Sequence, residues 1–252
     1  VGEEITGQKP GSVMTVEVDL SGLPVTLLNG GPQFKFTQSS SLFVGCSSEA
    51  EIDKLWSALS KDGKVRMGLD KYPWADKYGW TADRFGVEWQ LIMGPRSTKV
   101  APAFLFVDAL FGKGDEAVKF YESVFPNSKT EMIAHDPTNG SVLHASFYLN
   151  GQNFVLSEGP GQHGHTFNEA MSIIVNCETQ KEIDYYWDKL TADGGVESQC
   201  GWLKDKYGVS WQIFPTIMPS LMTSPVKVEK VMGAMFKMKK MIIADLERAA
   251  NS

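Results

Sequence analysis

The sequence predicts an α+β fold assembled from modules in the order strand, helix, strand, strand, strand. Two observations support this prediction: the chain contains an internal repeat, and each copy of the repeat places one amphipathic helix between β-rich runs. The length of 252 residues is enough for one large domain or two modest ones, each with its own core.

The internal repeat is visible in two blocks that recur in the same order. FVGCSSEAEIDKLWSALSKDG (43–63) aligns with IVNCETQKEIDYYWDKLTADG (174–194), and GWTADRFGVEWQLI (79–92) aligns with GWLKDKYGVSWQIF (201–214). Between its two blocks the first copy carries an insertion, MGLDKYPWADKY, that the second copy lacks. Chance does not explain two ordered matches, so the chain contains two related units.

Each copy contains one clear helix, preceded by a β-rich run and followed by strands. The helices start at capping boxes, Ser48 with Glu51 and Thr179 with Glu182. Apolar residues follow at helical spacing: Ile52, Leu55, Trp56 and Leu59 in the first copy, and Ile183, Tyr186, Trp187 and Leu190 in the second.

The stretch 103–158 adds another module of the same kind. AFLFV reads as a strand, DEAVKFYESVF as a helix, and SVLHASFYLNGQNFVLS as two strands about Asn150-Gly151. The hairpin VMTVEVDLSGLPVTLL (13–28) aligns with 142–157, so the matching first strand and helix of the first copy would lie before Val1. We expect these two elements to precede the given sequence, to be absent or to be supplied by another chain.

The repeat therefore divides the chain into three regions. Residues 1–96 form a first unit that is incomplete at its N-terminal side, residues 97–218 form a complete second unit, and residues 219–252 form a C-terminal amphipathic helix. The apolar seam of that helix is Val228, Val231, Met235, Met238 and Ile242. The seam suits packing on its own domain and pairing with a second subunit equally well.

The composition indicates which binding partners and which cellular location to expect. The net charge of −6 is spread along the chain, which disfavours nucleic acid as a partner, and no apolar run approaches a membrane span. Three cysteines do not form a disulfide framework, and VGEEITGQKP is not a signal peptide, so we expect a cytoplasmic protein. Cys46 and Cys177 occupy equivalent strand ends and are expected to be core residues.

A glycine-rich stretch, Glu158-Gly-Pro-Gly-Gln-His-Gly, follows one of the predicted strands. A nucleotide or methyl-donor loop would open directly into a helix, whereas the following MSIIVNC is β-rich. We therefore interpret the stretch as a turn between strands, and the sequence indicates no cofactor.

Together, FVDALFGKGDEAVKFYESVFPNSK, LNGGPQFKF, VNCETQKEIDYYWDKL and GWLKDKYGVSWQIFP resemble the PhnB-like branch of the vicinal oxygen chelate superfamily, which includes glyoxalases, bleomycin-resistance proteins and dioxygenases. This branch often carries the label demethylubiquinone 3-methyltransferase, which the sequence does not support. The resemblance implies curled mixed sheets that form cup-shaped clefts, paired units and a homodimer. Metal-using relatives place histidine or glutamate on the first and last strands of the modules, whereas this chain has Gln90 and Gln212 on the last strands. We therefore expect no metal.

Alternation along the strands predicts which side chains enter a cleft. On the strand 144–149 the apolar set faces the helix, so His144 and Tyr148 face the cleft, and Gln212 does so on the last strand. The turn after residue 157 could add Glu158, His163 or His165. The candidate ligand-binding residues are His144, Tyr148, Glu158, His165, Trp202 and Gln212 in the second copy, and Glu17, Asn29, Trp80 and Gln90 in the first.

These observations favour a protein that binds or transforms a small molecule, with no catalytic residue identified and the substrate open. A non-catalytic protein that sequesters a ligand is the alternative, and a metal-dependent lyase or dioxygenase comes third.

Overall fold

The structure is a computed structural model that describes residue 9, residues 11–94 and residues 100–252. The strands are β1 Thr15–Leu20, β2 Leu23–Leu28, β3 Ser40–Cys46, β4 Lys64–Tyr72, β5 Ala75–Ala82, β6 Glu88–Met93, β7 Val100–Phe106, β8 Lys129–His135, β9 Val142–Leu149, β10 Gln152–Glu158, β11 Ile173–Cys177, β12 Val196–Glu197, β13 Trp202–Lys204 and β14 Ser210–Pro215. The helices are α1 Glu49–Leu59, α2 Gly114–Val124, α3 Gln180–Thr191, α4 Met218–Leu221, α5 Pro225–Met235 and α6 Ile243–Asn251. The predicted module order occurs three times, in 40–93, 100–158 and 173–215.

The main sheet has eight strands in the order β4-β5-β6-β3-β7-β10-β9-β8. Each half is one module, and within each half the first strand runs parallel to the last, β3 with β6 and β7 with β10. The halves join where β3 and β7 pair antiparallel, with Leu42 opposite Pro102. A module of the first copy and a module of the second therefore share one mixed sheet.

The eight-stranded sheet is strongly curled. Phe43 on β3 and His144 on β9 lie three strands apart, which is about 14 Å in a flat sheet. Their ring centroids are nevertheless only 5.6 Å apart, so the sheet bends to bring them together on its concave face. Helices α1 and α2 pack on the opposite face. The predicted mixed, curled architecture is confirmed.

The third module forms a separate four-stranded sheet in the order β11-β14-β13-β12, and the hairpin β1-β2 forms a two-stranded sheet. By internal contacts the chain divides into two compact units. Of the described residues, one unit consists of 15–28, 35–94 and 100–167, and the other of 9, 11–14, 29–34 and 168–252. We refer to them as the eight-stranded and the four-stranded unit.

The predicted helix starts are present in both copies. At α3, Thr179 Oγ1 accepts from the Glu182 N–H at 3.2 Å, and the Glu182 carboxylate accepts from the Thr179 N–H at 3.0 Å, which completes a capping box. At α1, Ser48 Oγ accepts from the Glu51 N–H at 3.2 Å, and the Glu51 carboxylate accepts from the N–H of Ser47 at 2.8 Å. Glu182 makes the equivalent bond to the N–H of Glu178 at 2.7 Å, so the two helix starts share this contact.

The region after residue 218 is not a single helix, contrary to the sequence prediction. Helix α5 ends at Met235, and the chain then runs to α6 at Ile243 without helical structure. The break occurs because the carbonyls of Met238 and Lys239 accept from the N–H groups of Cys200 and Gly201, both at 2.8 Å, and so leave the helical pattern. None of the helices in the described part has the length and hydrophobicity needed to cross a bilayer.

Val231 and Met235 of the predicted seam are buried within the four-stranded unit. Gln180 on α3 also holds the chain between the two helices, because its side chain donates to the Met241 carbonyl at 3.1 Å and accepts from the Ile243 N–H at 2.9 Å. At least this part of the seam packs on its own unit.

Candidate ligand-binding cleft

The concave face of the eight-stranded sheet has an apolar floor. Phe43, Tyr78 and Val155 are at most 5% exposed, and the small side chains of Ala101 and Ala103 lie between them. Partly buried side chains surround this floor: Met67, Tyr72, Ala75, Trp80 and Ile92. We call this face the candidate cleft, because an apolar base with a limited set of polar groups is typical of small-molecule sites.

Gln90 lies beside this floor with both ends of its amide engaged. The Tyr78 hydroxyl donates to Gln90 Oε1 at 2.7 Å, and Gln90 Nε2 donates to Ser41 Oγ at 2.9 Å. Burial, and to a lesser extent Tyr72, raises the pKa of Tyr78 well above its usual range, so the phenol remains a donor at physiological pH. The cleft therefore presents a fixed, neutral hydrogen-bonded relay.

A charged pair lies at the start of β6, next to the relay. Arg66 donates to the carboxylate of Glu88 through Nη2 at 2.6 Å and through Nε at 3.1 Å, and the Trp80 indole donates to it at 2.9 Å. Glu88 is only 1% exposed, so this pairing satisfies a carboxylate that would otherwise be costly to bury.

His165 belongs to the loop that follows β10. Its Nδ1 is 2.9 Å from the hydroxyl of the buried Ser39, while its Nε2 is buried without a hydrogen-bond partner. Burial lowers the pKa of His165, with His163 adding to the effect, so the ring is neutral at pH 7. The loop is held in place because Asp108 accepts from the N–H groups of His163 and Gly164 at 2.8 and 3.0 Å.

The same loop resolves the question of the glycine-rich stretch. It joins β10 to β11, and no helix starts at its glycines. The interpretation as a turn between strands is confirmed. The N–H groups that a phosphate or a methyl donor would need at a helix N-terminus are not offered here.

Two further candidate residues, His144 and Tyr148, lie on β9 in the eight-stranded sheet. His144 contacts the ring of Phe43, and the Lys129 ammonium lies 5.2 Å from the centre of the Tyr148 ring. Between them on the same strand, Ser146 donates to Glu131 at 2.8 Å and accepts from Asn153 at 3.0 Å. The second-copy half of this face therefore also carries polar groups.

Glu158 does not face this cleft. Its carboxylate accepts from the N–H of Gly114 at 2.7 Å, at the start of α2, and from the N–H of Val142 at 2.6 Å. A carboxylate at a helix N-terminus satisfies donors that the helix leaves unpaired and is favoured by the helix dipole. The contacts give Glu158 a structural role on the helix side of the sheet.

Gln212 and His144, which the sequence analysis assigned to one cleft, lie on different sheets, β14 and β9. In the four-stranded sheet, Gln212 donates to Ser172 at 2.8 Å, which repeats the bond between Gln90 and Ser41, and Trp202 is its neighbour on β13. The alternation rule identified the correct face of each strand, but it carries no information about which modules pair.

The two remaining candidates lie on or beside the hairpin. Glu17 is exposed on β1, and Asn29 follows β2, where its side chain donates to the carbonyl of Val13 at 3.3 Å. Sequence reasoning missed Ser41, Arg66, Tyr78 and Glu88. Alternation on β6 could have found Glu88, two positions before Gln90, whereas the approach of Arg66 depends on bulges in β4 that the sequence does not reveal.

Both equivalent cysteines are buried, as predicted. Burial, with a smaller effect from Glu182, raises the pKa of the Cys177 thiol to about 12, so the thiol stays protonated and unreactive at neutral pH.

The donor set of the cleft does not fit a divalent ion. Gln90 and Ser41 are neutral and bonded to each other, and β7 offers only alanines beside them. Within residues 9, 11–94 and 100–252, no group of three or more histidine, cysteine, aspartate or glutamate side chains is arranged to hold a metal.

Comparison with known proteins places this architecture in a family. The family model described as 3-demethylubiquinone-9 3-methyltransferase matches residues 1–92 and 98–214, which are the two copies of the repeat. A search of curated proteins gave no match.

Two solved structures show what the chain is similar to. A PhnB protein from Bacillus cereus is 39% identical over 45% of this chain and 96% of its own, with a TM-score of 0.42. A V278E variant of glyoxalase I from Zea mays is 13% identical over 75% of this chain and 71% of its own, with a TM-score of 0.54, and shows the likeness of fold. Since the family model covers both copies, the chain belongs to the family that this model describes as 3-demethylubiquinone-9 3-methyltransferase.

Proposed function

We propose that this protein binds a small organic molecule on the concave face of the eight-stranded sheet, without a divalent ion. The observation that carries the proposal is the relay Tyr78–Gln90–Ser41 beside an apolar floor. Neutral, fixed hydrogen-bonding groups next to apolar surface orient an organic ligand, whereas they offset little of the hydration that a metal ion loses.

The polar groups of the cleft support binding more than chemistry. Glu88, its buried carboxylate, is held by Arg66 and Trp80, which makes it a poor general base. Sequestration without turnover is therefore the form of the proposal that we favour. Conversion of the ligand remains the alternative for the same cleft. A methyltransferase activity gains no support, because the glycine-rich loop leads into a strand.

We also propose that the protein acts in the cytoplasm as a homodimer. The free thiols of Cys46, Cys177 and Cys200 support the cytoplasm. For the dimer, the support is the edge strand β11. Its equivalent β3 pairs antiparallel with β7, but no strand in the described residues pairs with the outer side of β11. This edge carries neither charge nor proline, so it lacks the features that usually protect an open edge.

A matched pair of variants tests the binding site. Gln90→Ala removes the centre of the relay in the eight-stranded sheet, and Gln212→Ala removes the equivalent amide in the four-stranded sheet. A metabolite library is screened against the wild type by thermal shift, and the Kd of each hit is measured by calorimetry. We expect Gln90→Ala to weaken binding by about tenfold or more, as expected when a hydrogen-bonded group is lost in a buried site.

The control variant Gln212→Ala should bind as the wild type does. Equal weakening in both variants, or in neither, would place the ligand elsewhere and contradict the proposal. Proton NMR of each hit, incubated with the protein for several hours, separates sequestration from turnover, since a sequestered ligand is recovered unchanged.

A further inference from the structure

The insertion in the first copy, MGLDKYPWADKY, forms the far end of the β4-β5 hairpin. These two strands run from Lys64 to Tyr72 and from Ala75 to Ala82. The equivalent strands of the third module, β12 and β13, have only two and three residues. The extended hairpin is therefore a feature of the eight-stranded unit, in which the candidate cleft lies.

The β4-β5 hairpin has irregular strand pairing that bends it. Its pairing register shifts at three places, between Val65 and Met67, between Met67 and Asp70, and between Asp70 and Tyr72. Bulges of this kind bend a strand and increase its local twist. The bend agrees with the position of Tyr72, which packs against the floor of the cleft.

Three aromatic rings meet at this end of the cleft. The Tyr72 and Trp74 rings stack with centroids 5.1 Å apart and an angle of 23° between planes, and Tyr78 meets their edges at 5.7 and 6.0 Å. The Tyr72 hydroxyl donates to the Gly68 carbonyl at 2.9 Å, which fixes the middle ring. We call Tyr72, Trp74 and Tyr78 the aromatic shelf.

The exposure of the shelf is graded toward the solvent. Tyr78 is 5% exposed within the floor, while Trp74 is 61% exposed at the outer end. Isolated apolar side chains on a surface need no explanation. Trp74 is not isolated, because Tyr72 and Tyr78 connect it continuously to the apolar floor.

The charges around the shelf are balanced. Lys71 pairs with Asp76 at 3.1 Å, and Lys77 pairs with Asp53 at 2.6 Å. Since both lysines of the insertion have carboxylate partners, the shelf offers no unopposed lysine for an anionic group. The indole surface is the feature that a ligand would recognise here.

We propose that the aromatic shelf binds a planar aromatic or heteroaromatic ring, stacked on Trp74, as the outer part of the ligand that the cleft holds. This inference rests on the proposed binding function and adds the class of ligand. A flat ring gains stacking contact with the indole in addition to the burial of apolar area, and a puckered ring of equal size does not.

Two probes of equal carbon number test this inference: 1-naphthol, which is planar, and decahydro-1-naphthol, which is not. The Kd of each probe is measured by calorimetry for the wild type, Trp74→Leu, Phe85→Leu and Gln90→Ala. Phe85 is an exposed aromatic residue outside the shelf and serves as the control. We expect the wild type to prefer 1-naphthol by roughly three- to tenfold. Trp74→Leu should lose that preference, and Phe85→Leu should keep it.

The outcomes separate the two proposals. Equal affinity of the wild type for both probes, or an unchanged preference in Trp74→Leu, would overturn the aromatic shelf. If the shelf is overturned but Gln90→Ala weakens the binding of both probes, the proposal that the cleft binds a small molecule still stands. Loss of the preference only in Trp74→Leu supports the shelf, and circular dichroism of each variant shows that the fold is intact.

Discussion

At the scale of single residues, the repeated sequence D-x-x-G-V-x-W-Q contains an aspartate that holds a turn and a glutamine that belongs to the candidate site. Asp205 Oδ1 accepts from the N–H groups of Tyr207 and Val209, and its Oδ2 accepts from the Trp211 indole at 2.9 Å. Asp83 makes the equivalent bonds, with its Oδ2 3.0 Å from the Trp89 indole. The aspartate thus fixes the turn before the last strand, and the glutamine that ends the motif faces the concave side.

The two aspartates make the same bonds in different surroundings, which leads to a prediction. Asp205 is 2% exposed and Asp83 is only partly buried. Replacing either by alanine leaves three donors without their acceptor, and a buried unsatisfied donor costs more than one that water can reach. We expect Asp205→Ala to lower the free energy of unfolding by about 2–4 kcal/mol. Asp83→Ala should lower it clearly less, as measured by urea denaturation. Equal losses of unfolding free energy in the two variants would mean that burial does not determine the cost of an unsatisfied donor.

The site residues show how far sequence reasoning reaches at this scale. Alternation predicted the faces of His144 and Gln90 correctly, because it depends only on the geometry of one strand. Glu158 was proposed as a residue of the turn after the strand, but its carboxylate accepts from the N–H of Gly114 at the start of α2. That contact depends on a residue 44 positions away and has no local signal.

At the scale of elements, the glycine before each repeated tryptophan allows a close approach. A Cβ on Gly79 in β5 would lie 2.5 Å from the ring of Trp56 on α1. The ring would have to shift or the helix would have to move outward. Glycine is therefore required at this crossing of helix and sheet, whereas Gly68 on β4 has open space around its Cβ position.

This pair of glycines gives a matched test. Gly79→Ala should destabilise the protein by about 1–3 kcal/mol through overpacking. Gly68→Ala should change stability by less than about 1 kcal/mol, since the new methyl group meets nothing. The melting temperature of each variant, measured by calorimetry, checks both values. A neutral Gly79→Ala would show that Trp56 can move aside at little cost.

The elements themselves were largely predictable, and the exceptions have a common cause. Helix α3 begins at the predicted capping box because the signal lies within four residues. The break between α5 and α6 was not predicted, because the carbonyls of Met238 and Lys239 bond to residues near position 200. The bulges of β4 are likewise set by its pairing with β5. Residues close in sequence determine where an element starts, whereas hydrogen bonds to residues distant in sequence determine where it is interrupted.

At the scale of the whole molecule, the open edge of β11 predicts the oligomeric state. We expect sedimentation velocity of the full chain to give a dimer, twice the chain mass of 27.8 kDa. Ile174→Lys places a charge on β11, where the side chain is 40% exposed, and should yield a monomer. Val196→Lys places the same charge on β12 and should leave the dimer intact. A wild-type monomer at concentrations of tens of micromolar would contradict the proposal.

The pairing of β3 with β7 has a consequence for how such a chain can be divided. These strands come from different copies of the repeat, and their antiparallel ladder joins the two halves of one sheet. A cut between the copies would therefore expose two sheet edges and open the floor on which Phe43, Ala101 and Ala103 meet. The boundary between the copies of the repeat therefore lies inside one sheet, and a single copy does not contain the whole floor of the cleft.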